Sequence, residues 1–158
     1  MKNTDITIPV TVVSYEELSA SDRELVDKAR AATFRSYAPY SKFNVGAAIR
    51  LDNGQTASGS NQENVAYPSG TCAERTTCYW AHSTYPDAKF EAIAIAARNG
   101  DSTTMTEAPI APCGACRQAL LEYETLAGHD VRVLLTGADK IYILPSIKSL
   151  LPFAFTEF

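Results

Sequence analysis

Three cysteines and one glutamate are the residues of this sequence best suited to do chemistry. Cys113 and Cys116 stand three apart in Pro112-Cys113-Gly114-Ala115-Cys116-Arg117-Gln118, and Cys72 opens the earlier segment Cys72-Ala73-Glu74-Arg75. If each segment starts a helix, the spacing of three turns the Cys113 and Cys116 sulfurs toward one point, and Cys72 brings a third. A helix N-terminus carries free N–H donors and a partial positive charge. Both lower a thiol's pKa and favour the thiolate that binds metal. Three protein ligands with a fourth position left open are the arrangement of a catalytic zinc. Glu74, two residues after Cys72, is placed to reach a water at that position without being a ligand. Three thiolates on a dication leave an excess negative charge. The two helix ends and Arg75 offset it, with Arg75 bonding to ligand sulfurs.

Other uses of these residues explain less. A lone Cys-x-x-Cys suits a redox pair or half of a structural zinc site. A redox pair leaves Cys72 and Glu74 without a role, and a structural site needs a fourth ligand. The remaining cysteine, Cys78, lies about 600° around an ideal helix from Cys72, so it points elsewhere and reads, with Trp80, as a packing residue. His82 and His129 have no partner motif and read as ordinary surface or core histidines.

The elements that must position these groups follow from local patterns. Ile6 to Val13 is rich in Thr, Ile and Val, a strand or an extended arm. Ser21-Asp22-Arg23-Glu24 reads as a capping box opening a helix that ends before Pro39. Val45 to Leu51 and Gln55 to Ser60 form a hairpin around Asp52-Asn53-Gly54. Glu63 to Thr71, with Pro68 and Gly70, is a loop. Helices are expected from about Cys72 to Ser83 and from about Cys113 to Leu126. Phe90 to Ala97 is a buried strand, Val131 to Thr136 and Ile141 to Leu144 are short strands, and Ser146 to Leu151 is a short helix before an apolar tail. This order predicts an α/β chain, a three-layer α/β/α domain with a mixed five-stranded sheet.

The same two cysteine segments carry a resemblance. Cys-Ala-Glu followed by Pro-Cys-x-x-Cys is the zinc deaminase signature in its three-cysteine form. Tyr37 to Ala48 (YAPYSKFNVGAA) resembles the first block of the small tetrameric cytidine deaminases, Gly59 to Pro68 (GSNQENVAYP) their ribose-binding block, and Leu150 to Phe155 (LLPFAF) their C-terminal block. The likeness spans about residues 20 to 156. It implies one zinc per chain on Cys72, Cys113 and Cys116, with Glu74 as proton shuttle and Arg75 beside the ligands. It implies that Asn61 and Glu63 hold the ribose 3′-hydroxyl, that Phe43 packs on the nucleoside, that backbone near Ala73 meets the pyrimidine edge, and that Phe155 reaches the base in a neighbouring subunit of a homotetramer. The activity implied is hydrolytic deamination of cytidine and 2′-deoxycytidine in pyrimidine salvage. Residues 1–18 would be an N-terminal extension and 19–158 the deaminase domain. The sequence departs from the pattern at Gln62, where a small apolar residue is usual, at Phe153, where glycine is common, and in a longer connection before Pro112.

Composition narrows the alternatives. The chain has 158 residues, 46% of them hydrophobic, and a net charge of −4, which suits one domain with its own core. The acidic balance counts against a nucleic-acid partner, as does a 3′-hydroxyl clamp that excludes a continuing strand. An editing deaminase is therefore disfavoured, and the open coordination position with Glu74 argues against a non-enzymatic zinc module. A related deaminase acting on another small aminated nucleoside, such as blasticidin S, is the alternative. The polar start and the lack of a long apolar run predict neither a secretion signal nor a membrane span. A cytoplasmic protein is expected, with its cysteines reduced.

Overall fold

The computed structural model describes residues 1–156. Its elements in chain order are β1 (Thr11–Val13), α1 (Ala20–Ala32), β2 (Phe43–Leu51), β3 (Thr56–Ser60), α2 (Ala73–Thr84), β4 (Phe90–Asn99), α3 (Gly114–Ala127), β5 (Arg132–Thr136) and β6 (Ile141–Leu144), with short 3₁₀ turns between them. One mixed sheet runs β1-β6-β5-β4-β2-β3. β4 and β5 pair in parallel across α3, and the other pairs are antiparallel.

The period-2 alternation of the central strands divides the core into two unlike halves. Ala92, Ala94 and Ala96 of β4 face α1, together with Ala48, Leu134 and Ile141. Ile93 and Ile95 face the other way, with Ile49, Val133 and Leu135, toward Cys78 and Ala81 of α2 and Leu120 and Leu121 of α3. Small residues on the first face let α1 sit close to the sheet. The large ones on the second fill the wider space beneath two helices. Both faces of β4 are thus covered, which is why Ala92–Ala97 reads as an unbroken apolar run.

Two expectations are corrected. The sheet has six strands rather than five, because Thr11–Val13 pairs antiparallel with Ile141–Ile143. The start of α1 also lies earlier than the Ser21-to-Glu24 pattern suggests. Ser19 is the N-cap and its hydroxyl accepts from the Asp22 N–H. Asp22 is instead buried and ion-paired to Arg50 and Arg132, at 3.2 and 3.1 Å. The Asp52-to-Gly54 turn does close the β2–β3 hairpin, with Gly54 at φ 81°, a conformation that disfavours a side chain. The expected final helix is a 3₁₀ turn at Ile147–Leu150. No helix among the described residues is long and apolar enough to cross a membrane.

At Gly46 the backbone of α1 lies directly against the sheet. A Cβ there would stand 2.2 Å from the Ala29 carbonyl oxygen and 2.7 Å from the Thr33 nitrogen, both backbone atoms. Gly46→Ala must push α1 outward, at a cost of about 1–3 kcal/mol or more. Thermal unfolding should show a clearly lowered Tm. An unchanged Tm would mean that α1 does not set the spacing of this layer.

Candidate active site

Cys72 and Cys113 occupy the same structural position in two different helices. Each is an N-cap with extended backbone, at φ −74°, ψ 155° and φ −65°, ψ 164°, and neither side chain caps a free N–H of its helix. A serine or aspartate there would normally satisfy a free N–H. A thiol is a poor acceptor, so both sulfurs are left to turn toward the space between the helix starts. Cys116, one turn into α3 and fully buried, completes the group. The Cys72 and Cys113 sulfurs are 3.9 Å apart, and those of Cys113 and Cys116 are 3.5 Å apart. All three lie within 4.8 Å of one another. Tetrahedral zinc with Zn–S bonds of about 2.3 Å places its sulfurs about 3.8 Å apart, so the three thiols fit that ion.

The electrostatics point the same way. The Cys72 thiol is pulled down to about 5, first by a hydrogen bond from Cys116 and then by Arg75 and Cys113, against burial. Cys116 is pushed up, chiefly because it holds its proton against the Cys72 sulfur, and further by burial and by Glu74. One sulfur ionises at the expense of the next, and a dication is what allows all three to ionise together. Arg75 donates to the Cys72 sulfur at 3.9 Å. Burial pushes the Cys78 thiol up to about 12, and Cys78 lies outside the sulfur cluster.

Glu74 is the second residue of α2 and only 3% exposed. Burial, and after it the Cys72 charge, raises its carboxyl above the ordinary range, while a hydrogen bond from Cys116 works the other way. A dication at the sulfurs would oppose this upward shift. Ala73, also buried, is the first residue of α2, so its N–H has no acceptor within the helix.

Beside Cys72 opens a cavity of about 480 Å³, within the roughly 300–1,000 Å³ of small-molecule sites. Tyr40, Asn61, Glu63, Tyr67, Cys72 and Arg75 are among its lining residues. Glu63 accepts from the Tyr40 and Ser41 N–H groups through one oxygen, at 2.9 and 3.2 Å. Hydrogen bonds from Ser41 and Tyr40 hold its carboxyl below the usual range, so it remains an ionised acceptor. Asn61 is already bound at both ends of its amide. Its oxygen accepts from the Ser36 hydroxyl at 2.6 Å and the Val45 N–H at 2.8 Å, and its nitrogen donates to the Phe43 carbonyl at 2.9 Å. One N–H of Asn61 is left for a ligand. The structure brings Asn61 and Glu63 together with Cys72 and Arg75 around one cavity. Phe43, Ala73 and Phe155 are not among its lining residues. Phe155 lies in the C-terminal tail, 67% exposed.

Several groups at the site were not singled out by sequence reasoning. Ser36 fixes Asn61 from 25 residues away. Arg117 donates to both the Pro112 and Leu150 carbonyls, at 2.8 Å each, tying the Cys113 turn to the tail. Tyr67 lines the cavity and meets Tyr40 edge-on at 6.1 Å. Arg117 was visible beside the cysteines in the sequence, but its second partner is 33 residues further on.

The chain matches the family model described as the cytidine and deoxycytidylate deaminase zinc-binding region over residues 19–127. A cytidine deaminase of Halalkalibacterium halodurans is 37% identical over 136 residues, covering 85% of this chain and 95% of that protein. One from Sporosarcina psychrophila is also 37% identical, over 85% of this chain and 90% of its own length. The crystal structure of cytidine deaminase from Burkholderia pseudomallei superposes with a TM-score of 0.71 at 36% identity, covering 87% of this chain and all of that one. That of Mycobacterium tuberculosis gives 0.66 at 31%, covering 88% of this chain and 100% of its own.

Metal content separates the four cysteines. Cys78→Ser should keep about one zinc per chain by elemental analysis, because its thiol is outside the cluster, whereas Cys113→Ser should lose most of it. Zinc loss on replacing Cys78 would refute the three-sulfur assignment.

Proposed function

The chain belongs to the cytidine and deoxycytidylate deaminase zinc-binding family, and from that premise we propose that it hydrolyses the 4-amino group of free cytidine and 2′-deoxycytidine, giving uridine or 2′-deoxyuridine and ammonia. The observation that carries this reading is the sulfur cluster at two helix starts, with a buried carboxylate two residues from one ligand and a nucleoside-sized cavity alongside. The relatives named above bear the name cytidine deaminase, which favours this substrate over another aminated nucleoside such as blasticidin S.

Cys72, Cys113 and Cys116 are the residues to hold the zinc. When bound, zinc supplies Lewis acidity and lowers the pKa of water toward neutrality. Glu74 takes a proton from the incoming water and gives it to N3 of the base, so that C4 becomes more electrophilic; it then takes the remaining proton from the hydroxyl added at C4 and delivers it to the amine, which leaves as ammonia while the C4 carbonyl forms. Burial raises this carboxyl above its ordinary range, the direction that helps it give a proton as well as take one. Glu63, with the remaining Asn61 N–H, grips the sugar hydroxyl and so orients C4. Phe43 packs on the nucleoside and the Ala73 N–H meets the pyrimidine edge. Arg75 balances the negative charge of the sulfurs. Phe155 completes the site of a neighbouring chain in a homotetramer: its ring is exposed and is not among the lining residues of its own chain's cavity. A role in pyrimidine salvage and a cytoplasmic setting, where free thiols persist, complete the proposal.

Glu74→Gln should fold and keep its zinc but lose activity by about 10²–10⁴-fold or more, measured as ammonia release from cytidine. A rate above about a tenth of the unsubstituted enzyme's would exclude Glu74 as the shuttle. Glu63→Ala should damage turnover of cytidine far more than any residual turnover of free cytosine, because the sugar contact is used to orient the base. Equal damage to both would remove Glu63 from ribose binding.

A further inference from the structure

The C-terminal tail is fastened to α3 at three levels. At the far end of the helix the buried Glu124 carboxylate accepts from the Ser146 hydroxyl at 2.7 Å and the Ile147 N–H at 2.7 Å, and so fixes the start of the last 3₁₀ turn. Nearer the cysteines, Arg117 donates to the Leu150 carbonyl at 2.8 Å. Beside it the Gln118 amide makes a reciprocal pair with the backbone of Phe155. Its nitrogen donates to the Phe155 carbonyl at 2.7 Å, and its oxygen accepts from the Phe155 N–H at 3.3 Å. Leu151 and Ala154 pack against the core between these points, while Phe153 and Phe155 are 87% and 67% exposed.

The Gln118 pair is chemically selective. A primary amide presents a donor and an acceptor side by side, as a peptide group does, and can pair with both polar atoms of one residue's backbone. Glutamate keeps the acceptor but sets a negative oxygen against the Phe155 carbonyl. Methionine has the length and neither group. Gln118 lies on α3, two residues beyond Cys116, so the Phe155 backbone it holds is anchored to a core helix of its own chain.

We propose that Gln118 is a positioning residue for the deamination reaction: by gripping the backbone of Phe155, it sets where that aromatic ring stands for the base it contacts. This rests on the reading that Phe155 completes a nucleoside site. The ring makes the contact, and Gln118 acts only through the main chain behind it. Its loss therefore weakens substrate binding without disturbing the sulfur cluster.

A double-mutant cycle on the full-length, zinc-loaded protein tests this. The variants are Gln118→Met, Phe155→Ala and the pair, with Gln118→Glu as a second probe of the same site. Phe155→Ala should raise the cytidine KM on the order of tenfold, the scale of base–aromatic stacking. Gln118→Met and Gln118→Glu should raise it several-fold, with kcat, zinc content and light-scattering mass nearly unchanged. The double variant should be no worse than Phe155→Ala, because the two residues act as one unit. Chymotrypsin should cut the tail of both Gln118 variants faster than that of the unsubstituted protein. If Phe155→Ala raises KM but Gln118→Met does not, or if the two effects multiply, the role of Gln118 is overturned while that of Phe155 stands. If zinc content or mass falls together with affinity in the Gln118 variants, Gln118 is a general structural residue and the proposal fails. If Phe155→Ala leaves KM unchanged, the reading of the tail beneath it fails as well.

Discussion

Three sulfurs held within 4.8 Å of one another, on two helices that share no sequence neighbourhood, are the constraint from which the rest of this structure follows. Thiols at that distance repel once ionised. The fold tolerates it because each sulfur sits at a helix start, where free N–H groups favour negative charge, and because Arg75 bonds to the Cys72 sulfur. A dication then turns the repulsion into ligation. For this to work, α2 and α3 must begin side by side on one face of the sheet.

That requirement is met by the division of the sheet into a face of small residues and a face of large ones. Isoleucines and leucines beneath α2 and α3 give both helices a broad platform, and the alanine face lets α1 seal the opposite side at close range. Two buried carboxylates are paired where elements must be locked together. Asp22 joins α1 to Arg50 of β2 and Arg132 of β5, and Glu124 joins the end of α3 to the chain on either side of the last two strands. A buried carboxylate left without such partners would cost several kcal/mol. Each of these, fully bonded, therefore fixes one arrangement of its neighbours.

The cavity is made by loops on this rigid base. Asn61 spends most of its hydrogen-bonding capacity on the chain itself, binding Ser36, Val45 and Phe43. A residue that fastens its own loop in this way presents its remaining N–H at a fixed angle. Glu63 is likewise held by two backbone N–H groups through one oxygen, which leaves the other to accept from a ligand. Rigid placement of a few polar groups is what converts binding into orientation.

The sequence by itself determined the features governed by short-range rules. The spacing of Cys113 and Cys116, the placing of Cys72 and Glu74 at a helix start, the hairpin at Asp52-Asn53-Gly54 and the buried run of β4 all depend on periodicity or turn chemistry within a few residues. Tertiary structure alone decided what depends on distant partners. The sixth strand exists because Thr11–Val13 finds the free edge of β6. The cap lies at Ser19, and Asp22 beside it is spent on an ion pair with arginines of β2 and β5 that no local pattern shows. The double duty of Asn61 depends on Ser36, 25 residues away, and the grip of Gln118 on Phe155 joins groups 37 residues apart. Local sequence fixes which groups a residue offers. Which partner accepts them is settled only when the chain has folded and those groups leave water, because each must then take a partner at the distance the fold imposes.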